Sequence, residues 1–124
     1  MTEQARSFVS LLGLKIDRSH PGAVSVSVDI EQRHRNSNGV VHGSVFHALL
    51  DTCMGLEAWH ARGQQPVATA ELSVRFLAAV SEGTMTARAR VLKAGKRLIV
   101  CDGEIHHAGK LVAVAQGTFA AIQR

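Results

Sequence analysis

The chain has 124 residues, 46% apolar and 19% charged, so it is long enough for one domain and too apolar for intrinsic disorder. Fourteen Lys and Arg against ten Asp and Glu leave a formal charge of +4, a modest excess that demands no polyanionic partner. No apolar run approaches the roughly 20 residues that cross a bilayer, and no basic-then-apolar leader opens the chain. The expectation is a cytoplasmic protein with no membrane partner.

In chain order, residues 5–12 suit a short amphipathic helix ended by Gly13. Residues 24–30 (Val-Ser-Val-Ser-Val-Asp-Ile) alternate apolar and polar, the mark of a strand with one buried face. Residues 31–41 have no period and hold Asn36, Asn38 and Gly39, so they read as a loop. From Gly43 to about Arg62 the pattern becomes that of a helix apolar almost all round, which must be buried, and Gly63 and Pro66 close it. Strands are expected over 67–77, 84–93, 97–107 and 111–122, with hairpin-length gaps between the last three. One long helix and an antiparallel sheet have a simple joint solution, an α+β fold with the sheet curled around the helix. That arrangement leaves an exposed edge strand, which pairing of two copies would cover. Residues 1–124 are therefore expected to form one domain within a homo-oligomer.

With aromatics at only 4% and no Tyr, the core must be filled by Val, Leu, Ala and Met. Phe119 and Trp59 are expected there too. Cys53 and Cys101 lack CxxC spacing and read as reduced thiols. His34, His42, His47 and His60 share no zinc-type spacing, and the adjacent His106 and His107 point to opposite faces of a strand, so no metal is expected.

Asp51 is the anomaly, a carboxylate in the middle of the most apolar segment. Burying it unpaired is costly, so it must be paired or face a cavity. Ser44, His47, Asp51, Gly55 and Ala58 recur at three- and four-residue steps and form one stripe of small or polar side chains on an otherwise bulky helix. A ligand can lie there; an ordinary His47–Asp51 ion pair is the competing explanation. Glu57 lies off the stripe and is expected to reach solvent. His42-Gly43-Ser44 opens the helix, where free N–H groups and the helix dipole can hold an oxyanion, and Gly43 allows close approach. Gly43 and Asp51 are eight residues apart, or ~12 Å at a rise of 1.5 Å per residue. One carbonyl cannot touch both in one subunit, so they serve different purposes or two subunits share a site.

The stretch Asn36-Ser-Asn-Gly-Val-Val-His-Gly-Ser-Val-Phe-His-Ala-Leu-Leu-Asp51 resembles the N-x-x-G-x-x-H-G-G-x-x-x-x-L-x-D signature of hotdog-fold acyl-CoA thioesterases of the phenylacetyl-CoA thioesterase-like branch. The resemblance implies hydrolysis of an acyl-CoA, aromatic or medium-chain, by a dimer or a dimer of dimers, with no cofactor beyond the coenzyme A of the substrate. It implies that Asp51 acts as general base or nucleophile on a thioester held at the partner's Gly43 N–H. Asn36 would position the water or carbonyl, His42 would support the loop, and Thr69 would help hold the water. Arg88, Arg90, Lys93, Lys96 and Arg97 crowd toward one turn that reads either as a solvated hairpin or as a polyanion site. By the resemblance, Lys93, Lys96 and Arg97 meet the coenzyme A phosphates, with Arg62 and Arg75 in support. Ser44 replaces the usual second glycine, and His47 stands where relatives carry a small residue, so both bear on substrate binding.

Two other readings use the same residues. A hotdog acyl-thioester dehydratase or hydratase would need a His working with Asp51, and a non-catalytic acyl-CoA-binding module would bind without turnover. Nucleic acid is disfavoured because no stacking aromatics accompany the basic cluster.

Overall fold

The computed structural model describes residues 7–20 and 22–122. A short helix α1 (Phe8–Leu12) is capped at its start by the Ser7 hydroxyl and stopped by Gly13 in the left-handed conformation; residues 5 and 6 of the expected helix lie outside the described residues. Next come β1 (Lys15–Asp17), β2 (Ser25–Asp29), a 3-10 turn at Gln32–His34, and the long helix α2 (Gly43–Ala61). Four strands follow: β3 (Val67–Phe76), β4 (Thr84–Ala94), β5 (Leu98–His107) and β6 (Lys110–Ala121). They join in one antiparallel sheet of order β1-β2-β4-β5-β6-β3 that curves around α2, the hotdog arrangement.

Two features were not legible in the sequence. β1 is too short to show a period. The strand β3 does not join its neighbour in sequence, β4, but crosses to pair with β6 and becomes a sheet edge. Alternation cannot report such a crossover, because it says which face is buried and not which strand lies alongside.

The core is aliphatic, as the composition requires. Val26, Val28, Met85, Ala87, Ile99, Cys101 and Ile105 from the sheet close on Phe46, Leu49, Leu50, Cys53 and Met54 of α2. Each large side chain buried this way contributes roughly 1.5–3 kcal/mol. Glycines on the sheet let the helix approach: a Cβ at Gly103 would stand 3.2 Å from Leu50 Cδ2 and 3.3 Å from Met54 Cγ. Burial pushes the Cys53 thiol up to about 12 and the Cys101 thiol up to about 11, so both stay protonated and unreactive at neutral pH.

Glu57 departs from expectation. It is only 4% exposed, on the core side of α2 rather than in solvent. Loss of hydration raises its carboxyl above the ordinary 4.5, opposed by a hydrogen bond from the Val24 backbone N–H and by His60.

Two measurements test this packing. Gly103→Val should lower stability in a denaturant titration by about 1–3 kcal/mol, because the extra methyls must push Leu50 and Met54 aside. For Glu57 the folded state holds the proton more tightly than the unfolded chain, so its contribution to stability falls as pH rises from 4.5 through the raised folded value. Glu57→Gln removes that loss, so its Tm advantage over the wild type should grow from acid to neutral pH; a constant difference would mean the carboxyl is solvated.

Candidate active site

The sheet covers α2 on most sides and leaves one stripe open. Ser44 and His47 are exposed there, and Asp51, Thr52, Gly55, Leu56 and Trp59 are half-buried. Ala58 is not part of it; it is fully buried, and the stripe continues through Trp59. Trp59 lies four residues beyond Gly55, at the same spacing that joins Asp51 to Gly55. That spacing could have placed it on the stripe, but its apolar character pointed to the core.

Asp51 receives a hydrogen bond at 2.6 Å from the Thr69 hydroxyl, which donates to Oδ1. Thr69 stands beside an irregularity in the β3–β6 register between Thr69 and Glu71, the kind of bulge that re-aims a side chain. Asp51, Thr52, Gly55, Trp59, Thr69 and Phe119 line a cleft of about 330 Å³. No cation pairs with Asp51 among the described residues, and Oδ2 has no protein partner there.

His47 does not form the ion pair with Asp51. Its Nδ1–H donates instead to the Gly43 carbonyl at 3.1 Å, and its ring lies against Phe76, with centroids 5.7 Å apart. The other helix-start histidine is also committed. His42 caps α2, its Nδ1 accepting from the Ser44 N–H at 3.0 Å, which leaves the ring proton on Nε2. The Gly43 N–H has no acceptor among the described residues. Gly43, Phe46, Phe76, Leu77 and Val40 line a second cleft of about 430 Å³, which shares no residue with the first. A Cβ at Gly43 would stand 3.4 Å from the Phe76 ring, so glycine keeps that approach open.

The loop before α2 is held by two groups. Asn36 Oδ1 accepts from the Asn38 N–H at 2.9 Å and the Val40 N–H at 3.4 Å, folding the loop on itself. Its carboxamide lines neither cleft. Buried His34, which had no assigned role, accepts at Nδ1 from the Glu31 N–H and donates from Nε2 to the Leu12 carbonyl at 2.8 Å. It thereby anchors the loop to α1. Lys93, near the end of β4, and Lys96 and Arg97, in the turn to β5, are exposed at the C-terminal end of α2, where Arg62 donates to the Lys96 carbonyl at 3.1 Å. Arg90 is taken up by Asp102 through two nitrogens, and Arg75 is exposed on β3. No three His, Cys, Asp or Glu side chains gather as metal ligands among the described residues, and no described helix is long and apolar enough to cross a membrane.

Comparison with known proteins agrees with this architecture. The family model described as the thioesterase superfamily matches residues 38–114. A conserved protein of Pseudomonas aeruginosa superposes with a TM-score of 0.89 at 34% identity, covering 94% of each chain. The phenylacetic acid degradation protein PaaI of Thermus thermophilus, in variant form, gives a TM-score of 0.84 at 28% identity over 93% of this chain and 98% of its own. Human acyl-coenzyme A thioesterase 13 is 25% identical over 119 residues, 93% of this chain and 85% of that protein. With a family model that spans the open stripe, three of its six strands and the start of a fourth, this chain belongs to the thioesterase superfamily.

Proposed function

We propose that the protein hydrolyses an acyl-CoA thioester to a free acid and coenzyme A, with Asp51 as general base. The carrying observation is an uncompensated carboxylate in an open cleft, oriented by Thr69 through one oxygen and free at the other. Oδ2 would take a proton from water while the Thr69 hydroxyl oxygen helps to hold that water. The hydroxide attacks the thioester carbon, the C–S bond breaks, and the coenzyme A thiolate leaves with the proton from Asp51. Water is the only co-reactant. The free Gly43 N–H is suited to the developing oxyanion, a donor of a kind worth roughly 3–4 kcal/mol in the barrier. Asn36 would act through the loop, whose fold it holds ahead of Gly43, rather than by touching the carbonyl.

The two clefts support a site shared between two copies. β3 runs opposite to α2 along the stripe: Thr69 lies beside Asp51, and Phe76 beside Gly43 and His47. A two-fold pairing of two β3 edges about Leu72 and Ser73 would set Thr69 of one copy opposite the Phe76 end of the other. Each Asp51 cleft would then meet the other copy's Gly43 cleft. A dimer, and by further stacking a tetramer, is the assembly that this reading requires. The dehydratase alternative is disfavoured because His42 and His47 both spend a ring nitrogen on the backbone rather than on Asp51.

Asp51→Asn, nearly isosteric, should keep the fold and lower kcat for thiol release from acyl-CoA by about 10²-fold or more, the usual worth of a positioned base. Turnover equal to wild type would make Asp51 structural. A variant that binds acyl-CoA like a wild type that itself releases no thiol would point to the binding-module reading. Lys96→Ala should raise KM for acyl-CoA at low ionic strength and lose that effect in high salt, as expected for an exposed phosphate contact. An unchanged KM at low salt would remove the β4–β5 turn from the coenzyme site.

A further inference from the structure

Beyond the Asp51 cleft, along the same helix, lies another cleft of about 230 Å³. Leu56 and Trp59 line both, so one apolar wall continues from the first into the second. The far cleft has a different character. Arg18, His20 and His60 line it with Gln64, and no acidic side chain among the described residues does. The Arg18 guanidinium lies over the Trp59 ring, 5.8 Å from its centroid, and has no carboxylate partner among the described residues. Two acids stand near the histidines, Asp17 by His20 and Glu57 by His60, and neither pairs with Arg18 among the described residues. Asp17 accepts from the Ser19 N–H at 2.9 Å and the Ser19 hydroxyl at 2.6 Å, and Glu57 is buried on the core side of α2. The Gln64 N–H donates to the Trp59 carbonyl at 2.9 Å, which closes the end of the helix behind the ring.

We propose that this cleft receives the anionic end of the acyl group, so that the favoured substrates are ω-carboxyacyl-CoA thioesters. The inference rests on the thioesterase reading above and names the substrate class for the same site. The thioester stands at Asp51, the methylenes lie on Leu56 and Trp59, and the terminal carboxylate faces Arg18 with His20 and His60 beside it. Asp51 and Trp59 are eight residues apart, a span of ~12 Å on a helix, which suits an extended dicarboxylic chain of medium length. Trp59 serves twice, as an apolar wall for the chain and as the platform that holds the guanidinium in place.

The test compares kcat/KM for suberoyl-CoA and octanoyl-CoA, equal in chain length and differing only in the terminal carboxylate, in wild type and Arg18→Glu. Wild type should favour suberoyl-CoA by about fivefold, the upper range for an exposed charge pair, and the preference should shrink in high salt. In Arg18→Glu the ratio should invert. A wild-type ratio near one overturns the subsite and leaves the thioesterase reading standing. Loss of both rates in parallel, with the ratio unchanged, also overturns it, because Arg18 would then contact the coenzyme A phosphates common to both substrates. Release from neither substrate, nor from an aromatic acyl-CoA, overturns the thioesterase reading and the subsite together.

Discussion

A charged side chain on an almost wholly apolar helix sets the terms for the whole molecule. α2 must be covered by the sheet to hide Leu49, Leu50, Cys53 and Met54, all fully buried. The same helix carries Asp51, whose charge cannot be covered without a partner. The sheet meets both demands by wrapping α2 incompletely. The opening falls beside β3, the edge strand that the crossover to β6 places at the end of the sheet. One residue of that strand, Thr69, gives Asp51 a single hydrogen bond and leaves its charge uncompensated. A salt bridge would have been safer for the fold, and it would have made the carboxylate a poorer base.

The two sheet edges differ in a way that bears on assembly. β1 is three residues long and carries Lys15, which pairs with Asp29 on β2. Short strands with charged side chains are the usual way of blunting an edge against another chain. β3 is ten residues long and ends at the apolar Phe76, followed by Leu77, which are 48% and 54% exposed. Its exposed charges, Glu71 and Arg75, are spread along a strand more than three times as long. The edge left open is also the one that borders both clefts, so in the proposed dimer a single contact would cover the apolar surface and complete the chemistry.

Much of the fold was legible because its strands and helix carry clean periods. Val26 and Val28 are buried and Ser25 and Ser27 half-exposed, as the alternation requires. The four later strands begin and end close to their expected positions. Asp51 was legible for a different reason, as a violation of the apolar pattern around it. Thr69 was reached only through the family resemblance, since a threonine on a strand carries no signal that it will meet a helix residue 18 positions earlier. Glu57 and Trp59 were misread together. A charged residue near a helix end reads as solvated and a tryptophan as core, but the turn of α2 carries the first inward and the second to the opening. The His47–Asp51 pairing was open in the sequence because both i, i+4 and i, i−4 partners were in reach. The Gly43 carbonyl took the imidazole.

The division of labour along α2 follows from its geometry. At its start the Gly43 N–H is left without an acceptor among the described residues, which suits charge that develops during a reaction. Its middle holds the carboxylate. At its end Trp59 and Leu56 turn the stripe apolar, and beyond them the lining becomes cationic. Catalysis in the proposed reaction needs the start of one helix and the middle of another, so it constrains both copies at once. Selection of the acyl end, in the proposed subsite, would draw on one copy alone, through Arg18 and the last turns of its own helix. Substitutions near Trp59 can therefore alter which acyl groups are accepted without disturbing the pairing that assembles the reacting groups, because that pairing runs through β3 and the other end of the stripe.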